Sequence, residues 1–248
     1  MRAKSSGYQP ATLHRGVLMT RKLAAFSLAL TLLAVLPGIA TARADRATLI
    51  NIEVTHGRAQ PTATANCSNA QASNGGYAVT GWKVSGNKTA HLNLATVPSG
   101  LGNVTTQLQA SFNAWGSQAG VPDIAVATNG TVTKATANHS YDLMWARTGG
   151  NSIAVTYTWR WSNGEIESDT VFNSRLPWFI ASSEGDGCVE SVAAYDVANI
   201  ATHEFGHTYG LGHPSGARWE TMYAYGYTGE TLKRSLGPGD SAGINSLY

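Results

Sequence analysis

The stretch HEFGHTYGLGH, residues 203–213, constrains this chain more than any other part of its sequence. It holds three of the seven histidines, His203, His207 and His213, at positions i, i+4 and i+10. Side chains four residues apart share one face of a helix, so the first two histidines can reach a single ion. Gly210 can take the positive φ that ends a helix and turns the chain back, which brings His213 toward the same point.

The residue types of this stretch predict a catalytic rather than a structural metal site. Three neutral imidazoles suit Zn²⁺ and leave a fourth position open for water. Glu204 follows His203 directly and points to a neighbouring face, where it can take a proton from that water without binding the ion. The pattern therefore predicts one zinc held by His203, His207 and His213, with Glu204 as general base and acid in peptide hydrolysis. A structural zinc would need a fourth protein ligand.

Residues 1–44 form a predicted export signal. A basic lead precedes the apolar run LAAFSLALTLLAVLPGIA, and the small residues Ala42 and Ala44 suit cleavage before Asp45. We therefore expect a secreted, extracellular protein without stable membrane association. The signal holds six of the 17 Lys and Arg residues and none of the 15 acidic ones, which leaves the rest with a net charge of −4. Such a charge gives no reason to expect a nucleic-acid partner.

The remainder of the chain divides into a polar segment and one domain. Residues 45–76 are polar and rich in turn-forming residues, and we expect a loosely structured segment that can serve as a short pro-segment. Residues 77–248 are long enough for a single domain with a sizeable core.

Helical and strand patterns alternate within that domain. Apolar residues at helical spacing predict a helix from Val104, and IAVTYTWRW predicts a strand with EIESDTVFN as its hairpin partner. Asp196 is placed to cap the helix that carries the histidines, and Asp240 to cap a final helix. The order predicts an α+β fold in which one mixed, twisted sheet lies under two long helices and a C-terminal helix.

The motif HExxHxxGxxH with a following methionine turn is the signature of the metzincin metallopeptidases. Met222, nine residues after His213, resembles their turn methionine, which lies beneath the zinc ligands. Within that group the chain is most similar to the matrixins, since SDTVFNSRLPW resembles their fourth-strand segment and GDSAGINSLY their closing helix. The resemblance covers about residues 77–248. It implies a secreted zinc endopeptidase of the extracellular matrix setting, with polypeptide substrate laid along an edge strand.

Several features depart from the animal matrixins. Their loops for a structural zinc and for calcium have no match, so a second zinc is not expected, and calcium stays a candidate ion with Asp169, Glu184 and Asp186 as weak candidate ligands. Their cysteine switch is also missing, because TANCSNA around Cys67 lacks the flanking Arg and Pro. Latency through a thiolate on the zinc is therefore not expected.

Cys67 and Cys188 are the only cysteines. In an exported chain such a pair is most simply a disulfide, with free thiols or zinc ligation by Cys67 as the alternatives. A disulfide would tether the N-terminal segment to the loop before the active-site helix and stabilise the fold by about 2–4 kcal/mol.

The sequence leaves two other functions open. The same metal site could serve a non-catalytic secreted binding module, or an amidase that acts on cell-wall peptides. His56, His91 and His139 have no metal-ligand spacing, so we expect each to lie at the surface or to have an ordinary hydrogen-bond partner. We expect the chain to act as a monomer on polypeptide.

Overall fold

Strands from both halves of the chain meet in one sheet. The structure, a computed structural model, describes residues 45–59, 76–185 and 188–248. Its strands are β1 (Ala47–Gly57), β2 (Ala78–Val79), β3 (Lys88–Leu92), β4 (Ile124–Ala127), β5 (Tyr141–Ala146), β6 (Ser152–Trp161), β7 (Ile166–Asn173), β8 (Trp178–Phe179), β9 (Tyr195–Asp196), β10 (Leu211–Gly212) and β11 (Tyr225–Gly226). Its helices are α1 (Val104–Gly116), α2 (Val197–Tyr209) and α3 (Pro238–Leu247), with 3₁₀ turns at Leu94–Thr96 and Leu232–Arg234.

The main sheet is mixed, as the sequence predicts. Within the described ranges it has seven strands in the order β11-β1-β6-β7-β5-β3-β4. The pairs β3/β4, β3/β5 and β5/β7 are parallel, whereas β6 runs antiparallel to β7 in the predicted hairpin. All eight residues of β7 are buried. The α+β fold with a mixed sheet and three helices is confirmed.

Strand β1 corrects an expectation. A loose structure for all of residues 45–76 is wrong for Ala47–Gly57, which pair with β6 along nearly the whole of β1. The alternation of ATLINIEV was the signal for this strand, and the polar, turn-rich sequence after Gly57 obscured it. Residues 60–75, with Cys67 among them, lie outside the described residues, as do the predicted export signal and Asp186.

The two long helices pack against each other through aromatic side chains. Phe112 of α1 stacks on Phe205 of α2 with ring centroids 3.6 Å apart. The indole Nε1 of Trp115 donates to the carbonyl of Thr202 at 2.8 Å, which ties the end of α1 to the middle of α2. The far side of α2 meets β6 and β7, so α2 is enclosed between the sheet and α1. None of the described helices has the length and apolarity needed to cross a membrane.

The ends of the helices follow local chemistry. Asp196 caps α2 as predicted, because its Oδ2 accepts from the Asn199 amide at 2.9 Å. Gly210 ends the same helix at φ 104°, again as predicted. Asp240 was expected to cap α3 but lies inside its first turn, where its Oδ2 accepts from the Gly237 amide at 2.8 Å. Pro238 begins α3 one residue after Gly237, since proline suits the first helical position.

The turn at Gly210 provides a stability test. A Cβ at Gly210 would overlap the carbonyl oxygen of Trp82, whereas a Cβ at Gly164, also at positive φ, would meet nothing within 4 Å. Gly164→Ala should therefore lose only about 1–2 kcal/mol for the left-handed backbone. Gly210→Ala should lose at least about 1 kcal/mol more, because of the steric overlap. Urea unfolding of both variants measures the difference, and equal losses would contradict the packing described at Gly210.

Candidate metal centre

Three histidine nitrogens converge at the end of α2. The Nε2 atoms of His203, His207 and His213 are each 3.1 Å from the other two. The first two lie one turn apart on α2, and β10 carries the chain from Gly210 back to His213. Within the described ranges these three form the one group of histidine, cysteine or acidic side chains that could hold a metal ion.

Hydrogen bonds at the other ring nitrogens fix which nitrogen faces the centre. The Nδ1 of His203 lies 2.6 Å from the Thr221 carbonyl, and the Nδ1 of His207 lies 2.9 Å from the Leu211 carbonyl. A carbonyl oxygen only accepts, so both Nδ1 atoms carry hydrogen and both Nε2 atoms present a lone pair. The Nδ1 of His213 lies 3.4 Å from the Glu53 carboxylate, so its Nε2 also faces the centre.

The spacing of the three nitrogens fits zinc. Zn–N bonds of 2.0–2.1 Å in a tetrahedral site place ligand nitrogens about 3.3 Å apart. Three lone pairs facing one another at 3.1 Å have no hydrogen to share, and a cation at their centre removes that repulsion. The donor set and its geometry therefore fit a zinc ion.

Burial keeps the histidines in the neutral form that binds metal. Desolvation lowers the pKa of His203 well below 6.5 and that of His207 to about 4. Desolvation, followed by the charge of His207, lowers the pKa of His213 to about 3. The imidazoles therefore stay unprotonated at neutral pH without help from an ion.

Glu204 lies beside the histidines but is held by threonines. Its Oε1 accepts from the Thr55 hydroxyl at 2.6 Å and its Oε2 from the Thr156 hydroxyl at 2.5 Å. The side chain is fully buried, and desolvation raises its pKa to about 7, although both hydroxyls oppose the rise. A carboxyl group with a pKa near neutrality can both accept and donate a proton at physiological pH.

The segment after His213 supports the histidines from below. Met222 is 2% exposed and lies against α2, where a Cβ at Gly206 would overlap its sulfur. The carboxylate of Asp240 accepts from the amides of Thr221 and Met222 at 2.6 and 3.0 Å. The same Thr221 accepts from His203, so Asp240 holds the turn that orients a histidine.

Lys233 is fully buried beside this turn. Its ammonium donates to the Tyr223 carbonyl and lies 3.4 Å from the Nδ1 of His203. Desolvation lowers the pKa of Lys233, and the charge of Glu230 opposes that shift. Lys233 thus fixes the backbone that continues from Met222 into β11.

Several site residues were not predicted from the sequence. Glu53, Thr55, Thr156 and Lys233 come from distant parts of the chain and carry no local motif. Asp240 was noticed only as a helix cap. One signal was available. Glu53 and Thr55 lie two residues apart in the strand sequence IEVT, so their side chains share one face of the strand.

The weak calcium candidates have other roles or fall outside the structure. Asp169 is fully buried, and its carboxylate accepts from the amides of Thr136 and Asp142 at 2.9 and 3.0 Å. It therefore anchors the loop before β5. Glu184 lies 2.9 Å from the Ser235 hydroxyl, and Asp186 is outside the described residues.

The remaining described histidines each have a partner of their own. His91 lies 2.6 Å from the Asn129 side chain, and His56 lies 3.3 Å from that of Asn151. His139 lies 2.9 Å from Asp45.

A cavity opens beside β11, between the end of β1 and the segment from Arg218 to Leu232. Its volume is about 250 Å³. Its aromatic wall is formed by Trp219, Tyr223, Tyr225 and Tyr227, with Glu230 at its buried side.

This fold, with a metal-binding helix, a glycine turn and a third histidine, defines the metzincin class of metallopeptidases. A family model described as Matrixin matches residues 100–248, more than half of the chain. The chain belongs to the matrixin family. It is also similar to human matrix metalloproteinase-25, with 34% identity over 84 residues. That match covers 34% of this chain and 14% of the human protein.

The buried histidines predict how the metal-free protein responds to acid. Histidine in the unfolded chain titrates near pH 6.5, whereas His207 in the fold titrates at about 4. The unfolded chain therefore binds more protons between these values, and the free energy of unfolding falls as pH drops through this range. Each such histidine contributes a slope of about 1.4 kcal/mol per pH unit.

Urea unfolding in the presence of a chelator, at several pH values from 7.5 to 4.5, measures this slope. His207→Gln is the matched variant, because it removes one titrating group and leaves the remaining acids and histidines in place. Its slope should be smaller by about one proton. Identical slopes for the two proteins would show that His207 does not titrate as described.

Proposed function

We propose that this chain is a secreted zinc endopeptidase that cleaves extended polypeptide. The observation that carries the proposal is the set of three Nε2 atoms at mutual distances of 3.1 Å, next to a buried glutamate that is not among them. Membership of the matrixin family supports the same activity. The human relative is matched over a small part of its length, so the substrates and partners of the whole protein are part of this proposal.

The chemistry needs both the metal and Glu204. His203, His207 and His213 would hold a zinc ion, which would supply Lewis acidity for polarising a peptide carbonyl and for making water more acidic. Glu204 accepts a proton from the water that attacks the carbonyl carbon. It then gives that proton to the nitrogen of the leaving amine as the C–N bond breaks. The raised pKa of Glu204, about 7, suits both transfers.

The sheet supplies the place for substrate. Strand β6 borders the site through Thr156, and β11 forms the opposite wall through Tyr225 and Gly226. Strand β1 lies between these walls and pairs with both, so an extended peptide would add there in place of β1, with its main chain hydrogen-bonded and alternate side chains in pockets. The cavity beside β11, with its aromatic wall, is the candidate pocket for one substrate side chain.

The domain boundaries belong to the same proposal. Residues 1–44 direct export, residues 45–76 are a segment removable from the active enzyme, and residues 77–248 form the catalytic domain. A disulfide between Cys67 and Cys188 would keep the end of the N-terminal segment attached to the loop before α2. Cys188 is 3% exposed, and no free cysteine occurs in the described part of the chain.

Replacing Glu204 by glutamine tests the proposed chemistry. The amide cannot take the proton, so kcat/KM for unfolded casein should fall at least about 100-fold in zinc-loaded protein. Bound zinc, measured by atomic emission, should stay at one ion per chain. Glu165→Gln makes the same change in the turn between β6 and β7 and should leave both values unaltered. Zinc-loaded Glu204→Gln with undiminished turnover would refute the role of Glu204.

A zinc-loaded wild type that cleaves no polypeptide under any condition would instead favour the non-catalytic module. A wild type that releases amines only from cell-wall peptides would favour the amidase.

The disulfide makes a separate prediction. Non-reducing peptide mass spectrometry should find Cys67 joined to Cys188, since an exported pair is oxidised. Quantitative alkylation of both thiols in native protein, without reductant, would remove the bond from the proposal.

A further inference from the structure

The turn at residues 220–223 supports the histidines and carries the group that orients one of them. The Tyr223 amide donates to the Glu220 carbonyl at 3.1 Å, which closes the turn. Within the turn, the Thr221 carbonyl lies 2.6 Å from the Nδ1 of His203. Any contact that holds this turn in place therefore also holds the ring of His203.

Two carboxyl groups join this turn to the start of α3. The Oε2 of Glu220 accepts from the amides of Gly239 and Asp240 at 2.9 and 3.1 Å. In return, the carboxylate of Asp240 accepts from the amides of Thr221 and Met222 in the turn. The amides of a first helical turn have no partner within their helix, so Glu220 acts as a second cap of α3.

The two carboxyl groups lie against each other in the protein interior. A Cβ on Gly237 would overlap the Oε2 of Glu220 and would lie 3.2 Å from the Oδ2 of Asp240, so both groups flank the same backbone atom. Glu220 is 0% exposed and Asp240 is 1% exposed. A side-chain hydrogen bond joins the two groups. Ionised carboxylates only accept, so this bond requires a proton on one of them.

The donors around the pair place that proton on Glu220. Amides reach both oxygens of Asp240, and hydrogen bonds of this kind favour the charged form of a carboxylate. At Glu220 both amides reach Oε2, and no donor among the described residues reaches the buried Oε1. Oε1 is therefore the oxygen left to carry the hydrogen.

The electrostatics of the pair agree with this placement. Desolvation, followed by the charge of Asp240, raises the pKa of Glu220 to about 7. The charge of Asp240 also favours the cationic form of Lys233, which lies in the 3₁₀ turn before α3. His203 on α2 lies one hydrogen bond beyond the turn. A carboxyl group that is shielded from water and placed beside an ionised neighbour keeps its proton.

We propose that Glu220 is a positioning residue of the metal centre, a buried acid that shares its proton with Asp240 and so fixes the turn that orients His203. The shared proton lets two carboxyl groups lie in contact without repulsion. Its loss would leave two negative charges side by side and would push the turn away from α3. The inference rests on the zinc ion of the proposed function but not on peptide cleavage.

The pH dependence of unfolding in metal-free protein tests the shared proton. Glutamate in the unfolded chain titrates at about pH 4.3, whereas Glu220 in the fold titrates at about 7. Between these values the fold binds one proton more than the unfolded chain. This contribution to stability is complete below about pH 4.3 and is lost as pH rises through about 7.

Glu220→Gln removes the titrating group and keeps a carbonyl oxygen for the two amides. In urea unfolding with a chelator, from about pH 5 to about pH 6.5, the free energy of unfolding of the wild type should fall relative to that of this variant with the slope of one proton. Glu190→Gln makes the same change at a half-buried acid outside the pair and should keep the wild-type slope. A hydrogen bond with a structural role alone would not change the slope.

Zinc binding tests the positioning role. Glu220→Ala leaves the amides of Gly239 and Asp240 without their acceptor and should weaken zinc binding about 10- to 100-fold, the usual effect of losing a group behind a metal ligand. At about pH 6, Glu220→Gln should bind zinc as tightly as the wild type, because its side-chain amide keeps the acceptor and supplies hydrogen to Asp240.

The comparison at alkaline pH separates the proton from the side chain. At about pH 8.5, where Glu220 of the wild type has lost its proton, Glu220→Gln should bind zinc at least about threefold more tightly than the wild type. Competition with a chromophoric chelator measures each affinity, and Glu190→Gln should match the wild type at both pH values. This comparison also decides the positioning role if Glu220→Ala does not fold.

The outcomes separate this inference from the proposed function. Equal unfolding slopes for the wild type and Glu220→Gln would show that no proton is shared, and the inference would be wrong. Slopes that differ by one proton, with zinc affinities that are the same in every variant, would overturn the positioning role. A wild type that binds no zinc would refute the proposed function, while the unfolding slopes would still decide whether Glu220 holds the proton.

Discussion

The convergence of three imidazole nitrogens within 3.1 Å of one another is the arrangement on which the rest of the structure depends. The Nδ1 atoms of His203 and His207 are hydrogen-bonded to the Thr221 and Leu211 carbonyls, and the Nδ1 of His213 lies 3.4 Å from the Glu53 carboxylate. Two features maintain that geometry. The turn at Gly210 brings the chain back to His213, and the carboxylate of Asp240 holds Thr221 in place. Stable placement of the rings before any ion binds lowers the cost of binding it.

Burial of the polar face of α2 is tolerated because its groups have partners. All thirteen residues of α2 are buried, among them His203, Glu204 and His207. Thr156 and Thr55 satisfy Glu204 from two neighbouring strands, and the orienting carbonyls satisfy the histidines. Unpaired, each buried polar group would cost about 1–3 kcal/mol. The contact from Thr55 differs from the others, because Thr55 is the one buried residue of β1.

Sequence reasoning reached the parts of the site that depend on local spacing. The i, i+4 relation of His203 and His207, the cap at Asp196 and the helix end at Gly210 are short-range consequences of helix geometry, and the structure has all three. Strand β1 depends on pairing with β6, about 100 residues further along the chain, which no local pattern encodes. The contacts of Thr55 and Thr156 with Glu204 span 149 and 48 residues and are equally non-local. Asp240 illustrates the limit of sequence reasoning. The sequence placed it at the start of α3, but it did not predict that the carboxylate accepts hydrogen bonds from the amides of Thr221 and Met222.

Zinc K-edge X-ray absorption on the purified protein tests the metal centre most directly. The extended fine structure should require three nitrogen scatterers of imidazole type at about 2.0–2.1 Å, with a lighter oxygen shell and no sulfur. That result would place one zinc on His203, His207 and His213. A sulfur shell near 2.3 Å, or protein that holds no stoichiometric zinc after dialysis against the ion, would contradict the assignment of these histidines as the ligands.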